Sequence, residues 1–486
     1  MSYKVIIPTA GIGSRLKNLT KNLNKSLISV DHKPVIGHQI NKFPATCEFI
    51  IALGYKGNLV KEYLELVYPE KKFIFEYIEP YIGKDSGLGY TLSCCQKFLK
   101  EPFIFLSCDT LVKEKIDPPI TNWVGYSNKI SSESYRSIEL KSSIVSDIKE
   151  KGIKGDNLYP YIGLAAIRDF EYFWDSMNAG EEDKINIGES YGLRAIANHK
   201  KLFAKSFTWF DTGNSESLVL ARQEFFQKNS PNILEKENEA IWFVGNNVIK
   251  YSDSTTFISN RVKRAEELKG FIPNIESHSQ NMYCYKKAKG EVLSEVISLP
   301  IFENFLIRSE DFWIKKELDE PSYIKFKKKC LKFYKDKTYE RINLFYKNFD
   351  QIDNAEFINE EKMPSLNHLL NKIDWNWISE GIPGRFHGDF HFENIIYKKQ
   401  EKNFIFLDWR QDFAGDLFIG DIYYDFAKLN HGFIVNHGII ANNNYSASWK
   451  DNKVNFKLEQ KNILIECEQK FYEWLNENKY DLKKVK

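Results

Sequence analysis

No stretch of the chain approaches the roughly 18 uninterrupted apolar residues of a membrane span, so no crossing helix is expected. An excess of one charge is missing too. Lys and Arg number 68 against 66 Asp and Glu, for a formal net charge of +2. Charge alone therefore argues for neither nucleic acid nor a membrane surface as partner. The seven cysteines, Cys47, Cys94, Cys95, Cys108, Cys284, Cys330 and Cys467, are odd in number and include no CxxC pair. That argues against a disulfide framework and for a reduced, cytoplasmic chain with buried thiols. The opening MSYKVIIPTAG has an apolar run too short, and too soon broken by glycine, for a signal peptide. Solenoid-type repeats and low-complexity linkers are also absent.

What is present suits a soluble chain of more than one domain. The 486 residues are 43% hydrophobic and 28% charged, and domains run to roughly 100–200 residues each. Aromatics reach 15%, with 36 Phe and 26 Tyr, an excess that suggests no function by itself.

The densest chemistry lies between Gly384 and Asp425. His387-Gly388-Asp389 precedes Asn394, which stands just before the apolar run Ile395-Ile396-Tyr397. A second run, Phe404-Ile405-Phe406-Leu407, ends on Asp408. This is a hairpin with Asp389, Asn394 and Asp408 gathered at one mouth. Hard oxygen donors of this kind suit Mg²⁺, which usually arrives with nucleotide phosphates. Asp and Asn also favour ordinary turns, so the register of all three carries the reading. The layout is that of H-R-D-x-x-x-x-N followed by D-F-G, with Gly388 for Arg and Asp408-Trp409-Arg410 for the second motif.

This variant resembles the aminoglycoside phosphotransferase and choline kinase family, small-molecule kinases with a protein-kinase-like fold. The resemblance implies Asp389 as the base that accepts the substrate hydroxyl's proton, and Asn394 and Asp408 as Mg²⁺ ligands. It implies a bracing role for His387 and structural roles for Asp421 and Asp425. Further upstream, Ile241–Val244, a turn, and Val248–Tyr251 read as strand, turn, strand. Lys250 resembles the kinase strand lysine that grips nucleotide phosphates. No glycine-rich loop precedes it; Gly245 stands alone. Glu266 and Glu267 offer an acidic partner for Lys250, neither clearly in register, and residues 300–380 read as mainly helical.

At the other end, the buried-strand run Val5-Ile6-Ile7 leads into Gly11-Ile12-Gly13-Ser14-Arg15-Leu16. A glycine turn after a first strand can bring backbone N–H groups to phosphates. Leu16 replaces the third glycine of a dinucleotide fingerprint, which sets NAD aside. The longer pattern, GIGSRL followed by Asn24-Lys25-Ser26-Leu27 and Lys33-Pro34, resembles the nucleotidyltransferases that make nucleotide sugars, including bacterial phosphocholine cytidylyltransferases. Asn24 stands where that family has Pro. By resemblance, Gly11, Gly13, Ser14 and Arg15 wrap a nucleoside triphosphate, Lys25 contacts its phosphates, and the Gly87 turn lines the base pocket. Asp109, after Phe103–Leu106, and Asp211, in Trp209-Phe210-Asp211-Thr212-Gly213, are implied Mg²⁺ ligands. Tyr161–Leu164 and Glu189-Ser190 are set at the acceptor half of the substrate.

The expected fold class is an α/β Rossmann-like nucleotidyltransferase domain with a mixed, mostly parallel sheet over 1–230, then an α+β protein-kinase-like domain over 236–486. The expected activity is bifunctional. ATP phosphorylates a small hydroxyl metabolite (amino-alcohol, polyol or sugar), and the product is joined to a nucleotide, CTP foremost, with release of pyrophosphate. Such activated groups feed capsule or lipopolysaccharide assembly. Mg²⁺, ATP and the second triphosphate are the implied cofactor and co-substrates; a homo-oligomer is compatible with both families. The alternative is a nucleotidyltransferase alone, with a kinase-like domain that binds without turnover.

Overall fold

The computed structural model describes residues 3–486 apart from 84–85, 129–131, 154, 156, 180–186, 228–235, 436 and 451. The expected domain boundary at 230–236 falls almost wholly on residues outside that description. By compactness the chain forms two units, Met1–Thr255 with Ser277–Cys284, and Thr256–Glu276 with Tyr285–Lys486.

The first unit is built on a nine-stranded sheet. Its strands are β1 (Lys4–Pro8), β2 (Glu48–Leu53), β3 (Lys72–Tyr77), β4 (Phe103–Leu106), β6 (Trp123–Tyr126), β7 (Ser137–Lys141), β8 (Ile144–Lys149), β9 (Leu158–Ile167) and β10 (Phe203–Ser206). Their order is β3-β2-β1-β4-β9-β6-β10-β8-β7. The four strands β3-β2-β1-β4 run parallel; β9 enters antiparallel to β4. Alternation explains why β1 is apolar throughout. Val5 and Ile7 pack into one core cluster and Ile6 into another on the opposite face, as expected for a strand covered on both sides. Helices α1 (Gly57–Val67), α2 (Leu88–Cys95) and α3 (Glu189–His199) belong to this unit.

A short ribbon pairs β5 (Thr110–Val112) with β11 (Trp209–Asp211), Thr110 opposite Asp211. A hairpin follows, β12 (Glu239–Val244) and β13 (Asn247–Ser252). Its two-residue turn places Gly245 at φ 59°, as such turns require. The sequence assigns this hairpin to the second domain, but it packs into the first unit. Fully buried Trp242 meets the Tyr63 ring edge-on at 5.4 Å and donates to Ser29 Oγ at 2.9 Å. The Tyr251 hydroxyl donates to the Asn22 carbonyl at 2.7 Å.

The second unit contains helix α4 (Thr255–Glu267) from Thr256 onward and an antiparallel sheet of β14 (Glu291–Val292), β15 (Ile395–Lys398) and β16 (Asn403–Phe406), in that order. Helices α5 (Leu299–Glu310), α7 (Ile422–Ile434) and α8 (Asn462–Glu477) line an aromatic core, while α6 (Lys337–Phe349) buries none of its residues. Residues 300–380 are mainly helical, except that Glu356–Ile358 and Glu361–Met363 form a hairpin. The aromatic excess has a structural use here. Phe390, beside Asp389 in sequence, lies 4.7 Å from the Phe406 ring, 5.1 Å from Trp313 and 5.7 Å from Phe312. Rings of this kind are stiff and close-packed, which gives the adjoining loop a rigid backing.

Every cysteine is free, and all but Cys94 are buried. Among the described residues no helix is long and apolar enough to cross a membrane.

Candidate active sites

In the first unit, the ribbon β5–β11 brings two distant acids together. Asp109 ends the turn after β4, and its carbonyl accepts the Thr212 N–H at 2.9 Å and the Thr212 hydroxyl at 3.0 Å. Asp211 closes β11. Gly213 lies between the two carboxylates: a Cβ there would sit 3.0 Å from Asp109 Oδ2, 3.0 Å from Asp211 Oδ1 and 3.3 Å from the Arg15 guanidinium. Lys25 Nζ reaches Asp109 Oδ2 at 3.1 Å, and the Ser107 hydroxyl donates to Asp109 Oδ1 at 2.6 Å. Asp109, Asp211, Arg15 and Lys25 thus converge on one spot.

Electrostatics distinguish the two acids. Burial pushes Asp109 up, but the charge of Lys25 and the Ser107 hydrogen bond hold its carboxyl below the usual value. Asp211 is raised, first by burial and then by the charge of Asp109, against hydrogen bonds from Gly213 N and Tyr135. Two neighbouring carboxylates, one of them under-compensated, fit a hard divalent cation. Among the described residues no group of three or more His, Cys, Asp or Glu side chains is placed to hold a metal. A two-carboxylate site suits Mg²⁺, which usually keeps waters and phosphate oxygens as its remaining ligands.

The glycine loop has a clear steric logic at one position. Gly13 has φ 72°, and a Cβ there would approach Lys25 Cβ to 2.9 Å, so a side chain would both strain the backbone and displace Lys25. Gly11 has open space around it, and Ser14 is exposed. Gly87 caps the start of α2. Asn24 is fully buried and uses its whole amide. Oδ1 accepts from Ser26 N at 2.9 Å, and Nδ2 donates to the carbonyls of Thr9 at 2.9 Å and Tyr55 at 2.7 Å. It fixes the turn that carries Lys25, which is what the usual Pro would do by ring closure.

Glu189, at the start of α3, is buried, and burial lifts its carboxyl to about 7 despite the opposing charge of Arg136. Its carboxyl and the buried Tyr161 hydroxyl face each other and interact, although neither Glu189 Oε2 nor the Tyr161 hydroxyl makes a hydrogen bond of full geometry.

In the second unit, the register Ile395 opposite Phe406 puts Asn394 and Asp408 at one end of the hairpin, with Leu407 N donating to the Asn394 carbonyl at 2.7 Å. Asn394 Nδ2 donates to Asp389 Oδ2 at 3.2 Å, which leaves its amide oxygen as the donor to a hard cation. Asp408 has φ 58°, and Arg261 lies 3.5 Å from its carboxylate. The fold thus brings Asn394 to Asp389 and carries Asp408 at the same end of the hairpin. His387 is buried, and burial pushes its ring down to about 3, so it is neutral; Nδ1 accepts the Asp389 N–H at 3.2 Å. Asp425 accepts the N–H groups of His387 and Gly388, both at 2.7 Å. Gly388 has φ 90°, and a Cβ there would lie 2.6 Å from Arg410 Cβ, which accounts for Gly in place of Arg.

Three residues absent from the sequence reading shape this loop. Arg264 of α4 is 1% exposed. Its guanidinium donates to the carbonyls of Leu417 at 2.8 Å, Phe386 at 2.5 Å and Arg410, joining both halves of the site. Glu267, considered from sequence for Lys250, instead pairs with Lys316 at 3.1 Å. Lys428 of α7 lies 2.8 Å from Asp389 Oδ1, and His391 Nε2 lies 3.5 Å from Oδ2. Burial opposes the Asp389 charge, but His391 and Lys428 hold the carboxyl far below the usual range. His391 is in turn raised to about 9, against burial, by Asp389 and Glu393. Lys428 had a sequence signal: Asp421, Asp425 and Lys428 recur at helical spacing on one face. Lys250 is buried on β13 and belongs to the first unit.

Residues 343–453 match the model of a family described as the phosphotransferase enzyme family. The N-terminal half is similar to the bifunctional protein GlmU of Methanococcus maripaludis, at 24% identity over 254 residues, covering 50% of this chain and 60% of that protein. The chain thus spans about 60% of the length of the curated relatives it matches first. Two solved structures align with the same half. One is an apo UDP-glucose pyrophosphorylase (TM-score 0.40, 20% identity, 46% of this chain and 98% of that one). The other is the CTP:phosphocholine cytidylyltransferase of Streptococcus pneumoniae (TM-score 0.38, 17% identity, 46% and 100%). The chain therefore joins a half similar to nucleotidyltransferases to a segment similar to phosphotransferases.

Proposed function

We propose that the chain is a bifunctional transferase in which the second unit phosphorylates a small hydroxyl metabolite and the first joins that phosphate to a nucleotide. One observation carries the proposal: in the first unit Asp109 and Asp211 flank Gly213 beside Lys25, and in the second Asp389 stands between Asn394 and Lys428 at the hairpin end that also carries Asp408.

In the second unit the acceptor hydroxyl oxygen attacks the γ-phosphorus of ATP. The bond from that phosphorus to the bridging oxygen breaks, ADP leaves, and the hydroxyl proton passes to Asp389. A carboxylate of such low basicity orients the hydroxyl and takes the proton late, which suffices for a loose phosphoryl-transfer transition state. In the first unit an oxygen of the acceptor's phosphate attacks the α-phosphorus of CTP or another triphosphate, and pyrophosphate leaves. Arg15, Lys25 and the loop carrying Gly11, Gly13 and Ser14 steady the phosphates. Gly87 borders the base, and Glu189 with Tyr161 meets acceptor hydroxyls. Asp109 and Asp211 in one site and Asn394 and Asp408 in the other would hold Mg²⁺, which would supply neutralisation of phosphate charge. The class of product supports a use in capsule or lipopolysaccharide assembly, and the free thiols support a cytoplasmic location.

A second reading, catalysis in the first unit alone, is favoured by the lack of a glycine-rich loop before Lys250. Crossed variants decide. Asp389→Ala is expected to cut phosphorylation by about 10²–10⁴-fold while sparing pyrophosphate release from a supplied phosphorylated acceptor, and Asp109→Ala to do the reverse. Loss of both activities from either change in a folded protein contradicts the two-site account, as does phosphorylation unaffected by Asp389→Ala; no phosphorylation of any acceptor by the unaltered chain, with nucleotidyl transfer intact, supports the second reading.

A further inference from the structure

We propose that the acceptor phosphorylated at Asp389 is an anion, a hydroxyl compound that also bears a carboxylate or a phosphate, and that Lys428, Lys337 and Arg341 bind its charge. This rests on the kinase reading of the second unit and names the substrate class for it.

The two oxygens of Asp389 face different company. Oδ2 takes Asn394 at 3.2 Å and His391 at 3.5 Å, which is the side of the proposed metal and nucleotide. Oδ1 takes Lys428 at 2.8 Å, so Lys428 marks the other side, where the acceptor hydroxyl must enter. More positive charge is gathered there. Tyr424 lies one turn before Lys428 on α7, and its hydroxyl accepts from Lys337 Nζ at 3.3 Å. Lys337 stands 4.2 Å from the centre of the Phe333 ring, and the Arg410 guanidinium 5.0 Å from it. Arg341 is exposed one turn further along α6.

Among the groups acting on Lys337, three are cations, Arg410, Arg341 and Lys428, and one is an acid, Asp389 itself. Burial and these neighbours bring Lys337 down to about 7, as expected of a cation cluster short of counter-charge. A cationic amino-alcohol entering here meets like charge; an anion relieves it. In the ligand-free chain Lys428 leans on Asp389. An acceptor anion takes over that pairing and leaves Oδ1 to receive the hydroxyl.

The test is calorimetric titration of the full-length chain, with Mg²⁺ and a non-hydrolysable ATP analogue, using glycerate, glycerol 3-phosphate, glycerol and choline. The expected result is at least tenfold tighter binding of one of the anions than of glycerol, with choline weakest. Which anion wins distinguishes carboxylate from phosphate. The double variant Lys337→Gln, Arg341→Gln is expected to abolish the preference and leave affinity for the ATP analogue within twofold of wild type. The proposal is overturned if no anion preference exists, binding by neither anion included, or if the double variant weakens the ATP analogue and leaves the preference intact. Parallel assay of ADP formation separates the two readings. Anion preference without phosphoryl transfer counts against the kinase and upholds the anion site. Transfer to choline without anion preference does the opposite.

Discussion

Asp109 and Asp389 are both carboxylates held by a lysine, yet their cations come from different places. Asp109 is met by Lys25 and Arg15, which lie on one loop near the start of the chain, and by Asp211 across a two-strand ribbon. Asp389 is met by Lys428 and His391, and its loop is carried by Arg264, Asp425 and phenylalanines of α5 and α7. The first site is a loop laid over a sheet end. The second is a loop suspended in a core. Damage to the first therefore shows as lost chemistry, and damage to the second shows first as lost structure.

Three changes test that contrast. The largest effect belongs to Lys25→Ala, which is expected to cost about 10²–10³-fold in nucleotidyl transfer, the scale of removing one preorganised charge donor, with the thermal midpoint little changed. A smaller effect in rate but a larger one in stability is expected from Arg264→Met. It strands three backbone carbonyls in the core and destabilises the second unit by about 3 kcal/mol, read by denaturant unfolding, while nucleotidyl transfer persists. If Arg264→Met leaves stability unchanged, the second site is not suspended in the way described.

Glu189→Gln sharpens the comparison within the first unit. A carboxyl raised from 4.5 to about 7 by burial binds its proton more tightly folded than unfolded. Its contribution is neutral below about pH 4.5 and turns unfavourable as pH rises towards 7. The variant is therefore expected to match wild type near pH 4.5 and to exceed it by on the order of 3 kcal/mol at pH 8. Equal pH dependence of the two proteins in thermal melts contradicts a buried, uncompensated Glu189.

These differences also explain what was readable in advance. The strands at Val5–Ile7, Phe49–Leu53 and Phe103–Leu106 were legible as contiguous apolar runs, and Asp109, Asp211 and Asp408 because each follows an apolar run. Gly13 and Gly388 were legible as glycines, but their reasons, Lys25 and Arg410 pressed against them, required the folded chain. Arg264 was hidden. A charged residue on an amphipathic helix reads as a solvated face, and only the three carbonyls around it make burial tolerable. Lys337 was hidden because it reaches Tyr424 of α7 from α6, nearly 90 residues earlier in the chain. The β12–β13 hairpin was read as the start of a second domain because its strands match a kinase lobe. Trp242 and Tyr251 bury it in the first unit, and nothing local in the sequence reveals their partners.

The central claim is that one chain makes a phosphorylated acceptor at Asp389 and consumes it at Asp109. Phosphorus NMR of the full-length protein with ATP, CTP and a panel of amino-alcohols, polyols, sugars and hydroxy acids tests it most directly. The account predicts a phosphomonoester that appears first, followed by a diphosphodiester and pyrophosphate, with the second pair of signals absent from Asp109→Ala and all new signals absent from Asp389→Ala. A diphosphodiester formed by Asp389→Ala from unphosphorylated acceptor, or no phosphomonoester from wild type with any acceptor class, contradicts it.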